Sequence, residues 1–376
     1  KQKSLLETNS NVKYLTSDQK LNIFDFKAYN TNDKGFKTKA ESIYQPNDTL
    51  YSFQWNMPNI KANSAWSSTV GKKDITVAVI DSGVDPDHPD LKNNLLPLID
   101  VWAESRRNDI YNYRGTPIDY AGRDGNGHGT HVSGIIGAAI NNSLGVAGVA
   151  GNIKILPIKS SNYRGETYSS TITRSILRAI DEKANVINIS IGGPQSDGTQ
   201  SLEDAVELAI SKGIVFISAT GNESDRKKGL ITDVTIPAAY PGVLAVGSST
   251  EYDKVANYSN GGKETSLIAP GGGGLPEEGR LVYSTFPTYR TYLSYTQNII
   301  GPYALLSGTS MSSPHVAGAA ALVLSEEPNL TVQKLRVRLL SSTTPINGKG
   351  FNEGSGYGKL NVYEALRQKT DDKKDK

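Results

Sequence analysis

Ile75-Thr76-Val77-Ala78-Val79-Ile80 runs without polar alternation into Asp81-Ser82-Gly83. A strand with one wet face alternates apolar and polar residues; one apolar on both sides is buried on both, as in a parallel sheet. Runs of the same kind lie at Ile153–Ile158, Val186–Ile191, Val215–Ala219 and Val243–Val246. Helical stretches are expected between them at Thr130–Ile140, Ser169–Glu182 and Leu202–Lys212. Strands alternating with helices predict an α/β fold: a doubly wound, mostly parallel sheet with helices on both faces. The first run ends in an acid, at the strand end where open sheets of this kind carry their sites.

Composition narrows the function. A net charge of +2 gives no electrostatic case for nucleic acid or an anionic membrane. There is no cysteine, which excludes disulfides, thiolate metal sites and cysteine catalysis. No run of about 18 apolar residues spans a membrane. Residues 1–43 are polar and read as an N-terminal extension, a propeptide remnant or a linker, with short strands expected at Val12–Leu15 and Leu21–Phe26. Lys1–Glu7 lacks a signal peptide's apolar core, so a signal has been removed or lies before the sequence. Residues 44–367 form the main domain and 368–376 a charged tail. Ile60–Trp66 reads as a short helix, and Val332–Leu340 and Val362–Gln368 as surface helices. Ala103–Asp124 and Gly271–Ala304 read as long added loops, which commonly form functional rims.

In Gly308-Thr309-Ser310-Met311-Ser312-Ser313-Pro314-His315-Val316-Ala317-Gly318, Ser310 sits at or near the first turn of an alanine-rich, buried helix. Serine is also a favoured helix cap, so this segment alone leaves its role open. Nucleophilic catalysis needs a base beside the serine and an acid to orient the base. The four histidines are His88, His128, His131 and His315. His128, in Gly127-His128-Gly129-Thr130-His131, shares the small-residue helix start of Ser310, and buried Asp81 needs a partner such as an imidazolium.

These three blocks resemble the signature blocks of subtilisin-like serine proteases, whose chain order of Asp, His, Ser is a known mark of the family. The resemblance covers roughly residues 44–367. It implies Asp81 as orienting acid, His128 as general base then acid, and Ser310 as nucleophile. His131 and His315 are structural in that pattern, and His88 is a loop histidine. Ala219-Thr220-Gly221-Asn222 implies Asn222 and the Ser310 backbone N–H as oxyanion donors, a cap being the alternative for Asn222. Peptide substrate is expected to lie extended between Ser190-Ile191-Gly192-Gly193 and the segment Tyr163-Arg164-Gly165-Glu166. The pocket for the residue before the scissile bond, P1, falls among Ser190–Gly192, Ala219–Glu223 and Thr235. Glu223, Asp225 and Asp233 lie on or beside it, giving either a basic P1 preference or merely solvated acids around an apolar pocket.

Ile140-Asn141-Asn142-Ser143-Leu144-Gly145-Val146 resembles the family's calcium loop. It implies side-chain oxygen from Asn142, carbonyls from Ile140, Leu144 and Val146, a bidentate Asp90 and a completing Asp48 around a structural Ca²⁺, with a metal-free loop as the alternative. The abundance of lysine and asparagine, and the segments Gln54-Trp55-Asn56 and Ser355–Val362, look like lantibiotic leader peptidases of Gram-positive bacteria. The expectation is a secreted, monomeric, autoprocessing endopeptidase acting on a precursor peptide and on its own propeptide, with cell-wall association open. A broad-specificity secreted subtilase and an inactive binding protein on the same scaffold are the alternatives.

Overall fold

The computed structural model describes residues 18–24, 27–29, 44–105, 112–113, 116–117, 122–196, 199–346 and 348–368. Seven strands form the central sheet: β1 (Thr76–Asp81), β2 (Ile99–Asp100), β3 (Lys154–Lys159), β4 (Val186–Ile189), β5 (Val215–Ala219), β6 (Leu244–Ser249) and β7 (Thr265–Pro270). Their order is β7-β6-β5-β4-β1-β3-β2, and every pairing is parallel. The doubly wound α/β expectation holds.

Both faces of the sheet are dry. Val77 and Val79 join one buried cluster with Val132, Ile135, Val316 and Ala320, which belong to α1 (His128–Gly137) and α4 (Thr309–Glu326). The alternate residues Ala78 and Ile80 join a second with Ile172, Ile176, Leu202 and Val206, from α2 (Ser169–Asp181) and α3 (Gln200–Ser211). Period-two side chains thus feed two cores, which explains the lack of polar alternation. Helix α4 is buried almost throughout; its alanines and glycine let it seat close to the sheet and to α1.

Several expectations change. The segment Gly271–Ala304 is not a plain loop: Val282–Thr285 pairs antiparallel with Tyr303–Ser307, and Tyr292–Thr296 is a short helix. Ala103 belongs to a helix, Val101–Ser105, and most of 106–121 lies outside the described residues. The helices Val332–Ser341 and Val362–Arg367 are half-sunk, with Leu335, Leu339, Val362 and Ala365 buried. Helix is present only at Ala62–Ala65 of the expected Ile60–Trp66. The strand Lys20–Ile23 overlaps the expected Leu21–Phe26 at Leu21–Ile23, whereas Val12–Leu15 and most of the tail lie outside the described residues. No helix among the described residues is long and apolar enough to cross a membrane.

Candidate active site

Asp81 closes β1, Ser190 follows β4, and Gly221-Asn222 follows β5; these three strands are adjacent, so their C-terminal ends form one row. Helices α1 and α4 pack together over that row and begin with His128 and with Thr309-Ser310. Asp81, His128 and Ser310 are all fully buried.

His128 Nδ1–H donates to Asp81 Oδ1 at 2.8 Å, and the Ser82 backbone N–H donates to the same oxygen at 2.7 Å. With Nδ1 committed as donor to a carboxylate, Nε2 is the nitrogen able to take a proton. The start of α1 is pressed onto the end of β1: a Cβ on Gly129 would stand 2.2 Å from the Gly83 carbonyl oxygen, so no larger residue fits.

Asp124 sets this approach, and sequence reasoning passed it over as part of a polar loop. Its buried carboxylate accepts from the backbone N–H groups of Asn126, Gly127 and Thr130 and from the hydroxyls of Ser82 and Thr130. An acid two to six residues ahead of those amides neutralises the unpaired donors of a helix start. Its spacing ahead of Gly127-His128 was the available signal.

Pro314 shapes the other helix start. It has no N–H for the carbonyl of Ser310, its partner four residues back in α4. The Ser190 hydroxyl donates to that carbonyl at 3.1 Å, and the Ser310 hydroxyl donates to the Ser190 carbonyl at 3.2 Å. Asn222 Oδ1 accepts from the Thr309 N–H at 2.9 Å and the Thr309 hydroxyl at 2.8 Å. Thr309 therefore engages the amide oxygen, which fixes the Asn222 NH₂ as the donor end of the group.

The chain's own residues fill the gap between the two expected edge segments. Lys20–Ile23 pairs antiparallel with Ile191–Gly192 on one side and Glu166–Tyr168 on the other. The Ile23 N–H donates to the Gly165 carbonyl at 2.9 Å. Lys20 pairs with Glu166 and holds its carboxyl below the usual carboxylate range. Leu21 and Phe24 are buried, and a Cβ on Gly192 would stand 2.4 Å from the Ile236 carbonyl oxygen and 2.6 Å from the Phe24 ring, so glycine is required there. Tyr163 is buried, meets Tyr292 edge-on with ring centres 5.5 Å apart, and accepts from Asn126 Nδ2 through its carbonyl.

The three acids near the P1 pocket do not converge. Glu223 accepts from the Asn222 N–H and Asn260 Nδ2. Asp225 pairs with Lys228 and Asn257. Asp233 is exposed and contributes its carbonyl to Asn260. Thr235 gives its hydroxyl to the Thr220 carbonyl.

At the expected calcium loop, Asn141, Ser143 and Gly145 all have left-handed backbone. Asp90 accepts from Asn142 Nδ2 at 2.6 Å and the Val146 N–H at 2.9 Å, while Asp48 Oδ2 accepts from the Asn141 N–H. Burial pushes Asp90 up to about 6, with the nearby Asp48 adding to the rise, and raises Asp48 likewise. Asp48 Oδ1 is buried with no hydrogen-bond partner. Two buried carboxylates this close fit a cation with oxygen ligands. No three acids or histidines gather among the described residues, so carbonyl and amide oxygens have to supply the other ligands.

The family model described as the subtilase family matches residues 72–358. The chain belongs to the subtilase family. It is a serine endopeptidase by that membership. Subtilisin E of Bacillus subtilis (strain 168) is 36% identical over 328 residues, covering 87% of this chain and 75% of its relative. A thermophilic serine proteinase of Bacillus sp. (strain AK1) is 35% identical over 326 residues, covering 86% and 70%. Thermitase of Thermoactinomyces vulgaris is 32% identical over 325 residues, covering 86% and 100%. The crystal structure of fervidolysin from Fervidobacterium pennivorans superposes with a TM-score of 0.75 at 26% identity. It covers 93% of this subtilase, which spans about half, 51%, of the fervidolysin chain.

The other histidines of this subtilase are held neutral. His88 lies in a loop, as expected, and is buried there: Nε2–H donates to the Pro302 carbonyl and the ring packs edge-on against Tyr303. His315 Nδ1–H donates to the Met311 carbonyl at 2.7 Å, and Nε2 accepts from Asn56 Nδ2 at 2.8 Å. Burial depresses His315 to about 4 and His131 to about 3. An unfolded histidine titrates near 6.5, so below that pH the unfolded state binds more protons than the folded one. The stability these two histidines contribute should be full above about pH 6.5 and decline as the pH falls toward 4, against an opposite contribution from Asp90, which favours the folded state as the pH falls through about 6. Urea midpoints at pH 7, 6 and 5 test this, and His315→Gln should flatten the decline while lowering the midpoint at pH 7.

Proposed function

We propose that this subtilase is a secreted, precursor-processing endopeptidase working through Asp81, His128 and Ser310. The observation that carries the reading is the buried Asp81–His128 pair, with Ser310 in the first turn of α4, the helix that packs against α1. Asp81 holds the imidazole so that Nε2 takes the Ser310 proton as Oγ attacks the scissile carbonyl. The tetrahedral oxyanion is held by the Asn222 side-chain N–H and the Ser310 backbone N–H. His128 then protonates the departing amine, and water hydrolyses the acyl-enzyme by the same proton path. An inactive scaffold has nothing in its favour, since all four groups are present.

Residues 44–367 are the catalytic unit in this reading, and residues 18–24 lie in the cleft as an internal substrate. The substrate class is a precursor peptide bound extended, with removal of a lantibiotic leader as the specific role. Its support is the resemblance of the Gln54–Asn56 and Ser355–Val362 segments and the rims built from added chain. A basic P1 side chain rests on the acids around Gly221. The Phe24 ring against Gly192, with Glu223 and Asp225 engaged elsewhere, favours an aromatic one. Mass spectrometry of products from a peptide library decides between them. Cleavage after phenylalanine, including autocleavage after Phe24 that vanishes in Ser310→Ala, is the expected result. Cleavage only after arginine reverses the P1 assignment, and no cleavage at all removes the enzymatic reading.

Asn222→Ala should lower kcat by about 10²–10³ with little change in KM, a loss established on subtilisin itself. Stopped-flow or steady-state kinetics on one peptide will separate the two constants.

Asp48, Asp90 and Asn142, with the carbonyls of Ile140, Leu144 and Val146, would hold a structural Ca²⁺ that neutralises the two buried acids. A ligand at a hundredfold its Kd stabilises by about 2.7 kcal/mol. EDTA should therefore lower the melting temperature by several degrees, and Asp90→Asn should abolish that sensitivity. An unchanged melting curve would count against the metal.

A further inference from the structure

Beyond the non-prime cleft, the nucleophile is approached by a second edge. Tyr303–Ser307 runs directly into Gly308 and Ser310 and pairs with Val282–Thr285 on one side. On its other side it pairs antiparallel with Lys27–Tyr29: Lys27 opposite Ser307, Ala28 opposite Leu306, Tyr29 opposite Leu305. Phe24 abuts Gly192, two residues past Ser190, the hydrogen-bond partner of Ser310, and Lys27 lies opposite Ser307, three residues before Ser310.

We propose that Tyr303–Ser307 and the Gly271–Glu278 loop form a recognition site for the departing side of the substrate, selecting a basic residue at the third position after the scissile bond. This rests on the reading of residues 18–29 as a substrate cut after Phe24.

Backbone pairing along Tyr303–Ser307 supplies sequence-independent affinity, as in other strand additions. Selectivity comes from the lysine: Lys27 Nζ donates to the Gly274 carbonyl. That carbonyl belongs to a loop fixed by its own bonds. The Gly308 N–H donates to the Gly271 carbonyl at 3.0 Å, and the Tyr258 hydroxyl donates to the carbonyls of Gly271 and Gly272. Glu278 Oε2 accepts from the N–H groups of Gly274 and Leu275 at 2.7 and 3.1 Å, and Oε1 from the Asn257 N–H at 2.9 Å. A carbonyl held this way is a preorganised acceptor for an ammonium. Glu277 completes the negative field; its carboxyl sits below the usual range, held mainly by Lys227 and also by the charge of Lys27. Because Lys27 is exposed, the gain is that of a solvent-screened charge. The added segment before Ser310 thereby becomes a specificity element that reads what leaves, while the older cleft reads what stays.

The test uses the full chain acting on three synthetic peptides spanning residues 18–30: the native sequence, Lys27→Ala and Lys27→Glu. kcat/KM for cleavage after Phe24 is followed by mass spectrometry. A screened, charge-assisted hydrogen bond predicts a loss of about fivefold for Lys27→Ala and more than about tenfold for Lys27→Glu. In a Glu277→Lys enzyme the preference for the native peptide over the Lys27→Glu peptide should narrow or invert. Equal rates for all three peptides overturn the prime-side site while leaving the cleavage reading intact. Failure to cut the native peptide after Phe24 overturns the reading on which it rests.

Discussion

The site depends on a sheet that has no wet face. Seven parallel strands covered on both sides can carry polar side chains only where the strands stop. Asp81, Ser190 and Asn222 sit at or just beyond the ends of β1, β4 and β5, three neighbours in the sheet. The order of strands in the sheet, not their order in the chain, brings Asp81 next to residues more than a hundred positions away. The two helices that begin at the same edge complete the arrangement, because their unpaired N–H groups need partners and the edge supplies them.

Those partners are side chains held in return. Asp124 takes three backbone N–H groups and two hydroxyls, and so ties the start of α1 to Ser82 beside Asp81. Pro314 leaves the Ser310 carbonyl without its usual donor, and Ser190 fills the place while accepting the Ser310 hydroxyl itself. A defect in one helix is thereby turned into a link between Ser310 and the end of β4. Each such link is a buried polar group satisfied by another, where a single missing partner would cost about 1–3 kcal/mol.

The fold was legible because burial on both faces leaves a plain mark in sequence. Val215–Ala219 needed no correction, while Thr265–Pro270 escaped notice: Thr265-Ser266-Leu267-Ile268-Ala269-Pro270 opens on polar residues and ends in proline. Ser284 and Thr285 likewise dilute the hairpin in the added segment, although both hydroxyls donate to carbonyls of α1. The triad blocks were legible as motifs. Asp124 was not, since three of its five partners are backbone amides, and only its spacing ahead of Gly127-His128 pointed to them. Glu223, Asp225 and Asp233 are close in sequence, but Glu223 engages Asn222 and Asn260, Asp225 engages Lys228 and Asn257, and Asp233 is exposed. Lys20-Leu21-Asn22-Ile23 alternates as a half-buried strand should, yet its pairing partners, some 140 to 170 residues away, cannot be read locally.

The strand at Lys20–Ile23 has a kinetic consequence. A segment that belongs to the same chain as the gap it occupies is present there at an effective concentration that dilution of the protein does not lower. A diffusing peptide at micromolar levels competes poorly against it, however well it fits. On the proposed reading, activity toward other chains waits on the departure of this one, and the delay is set by how fast the strand dissociates, independent of how much substrate is supplied.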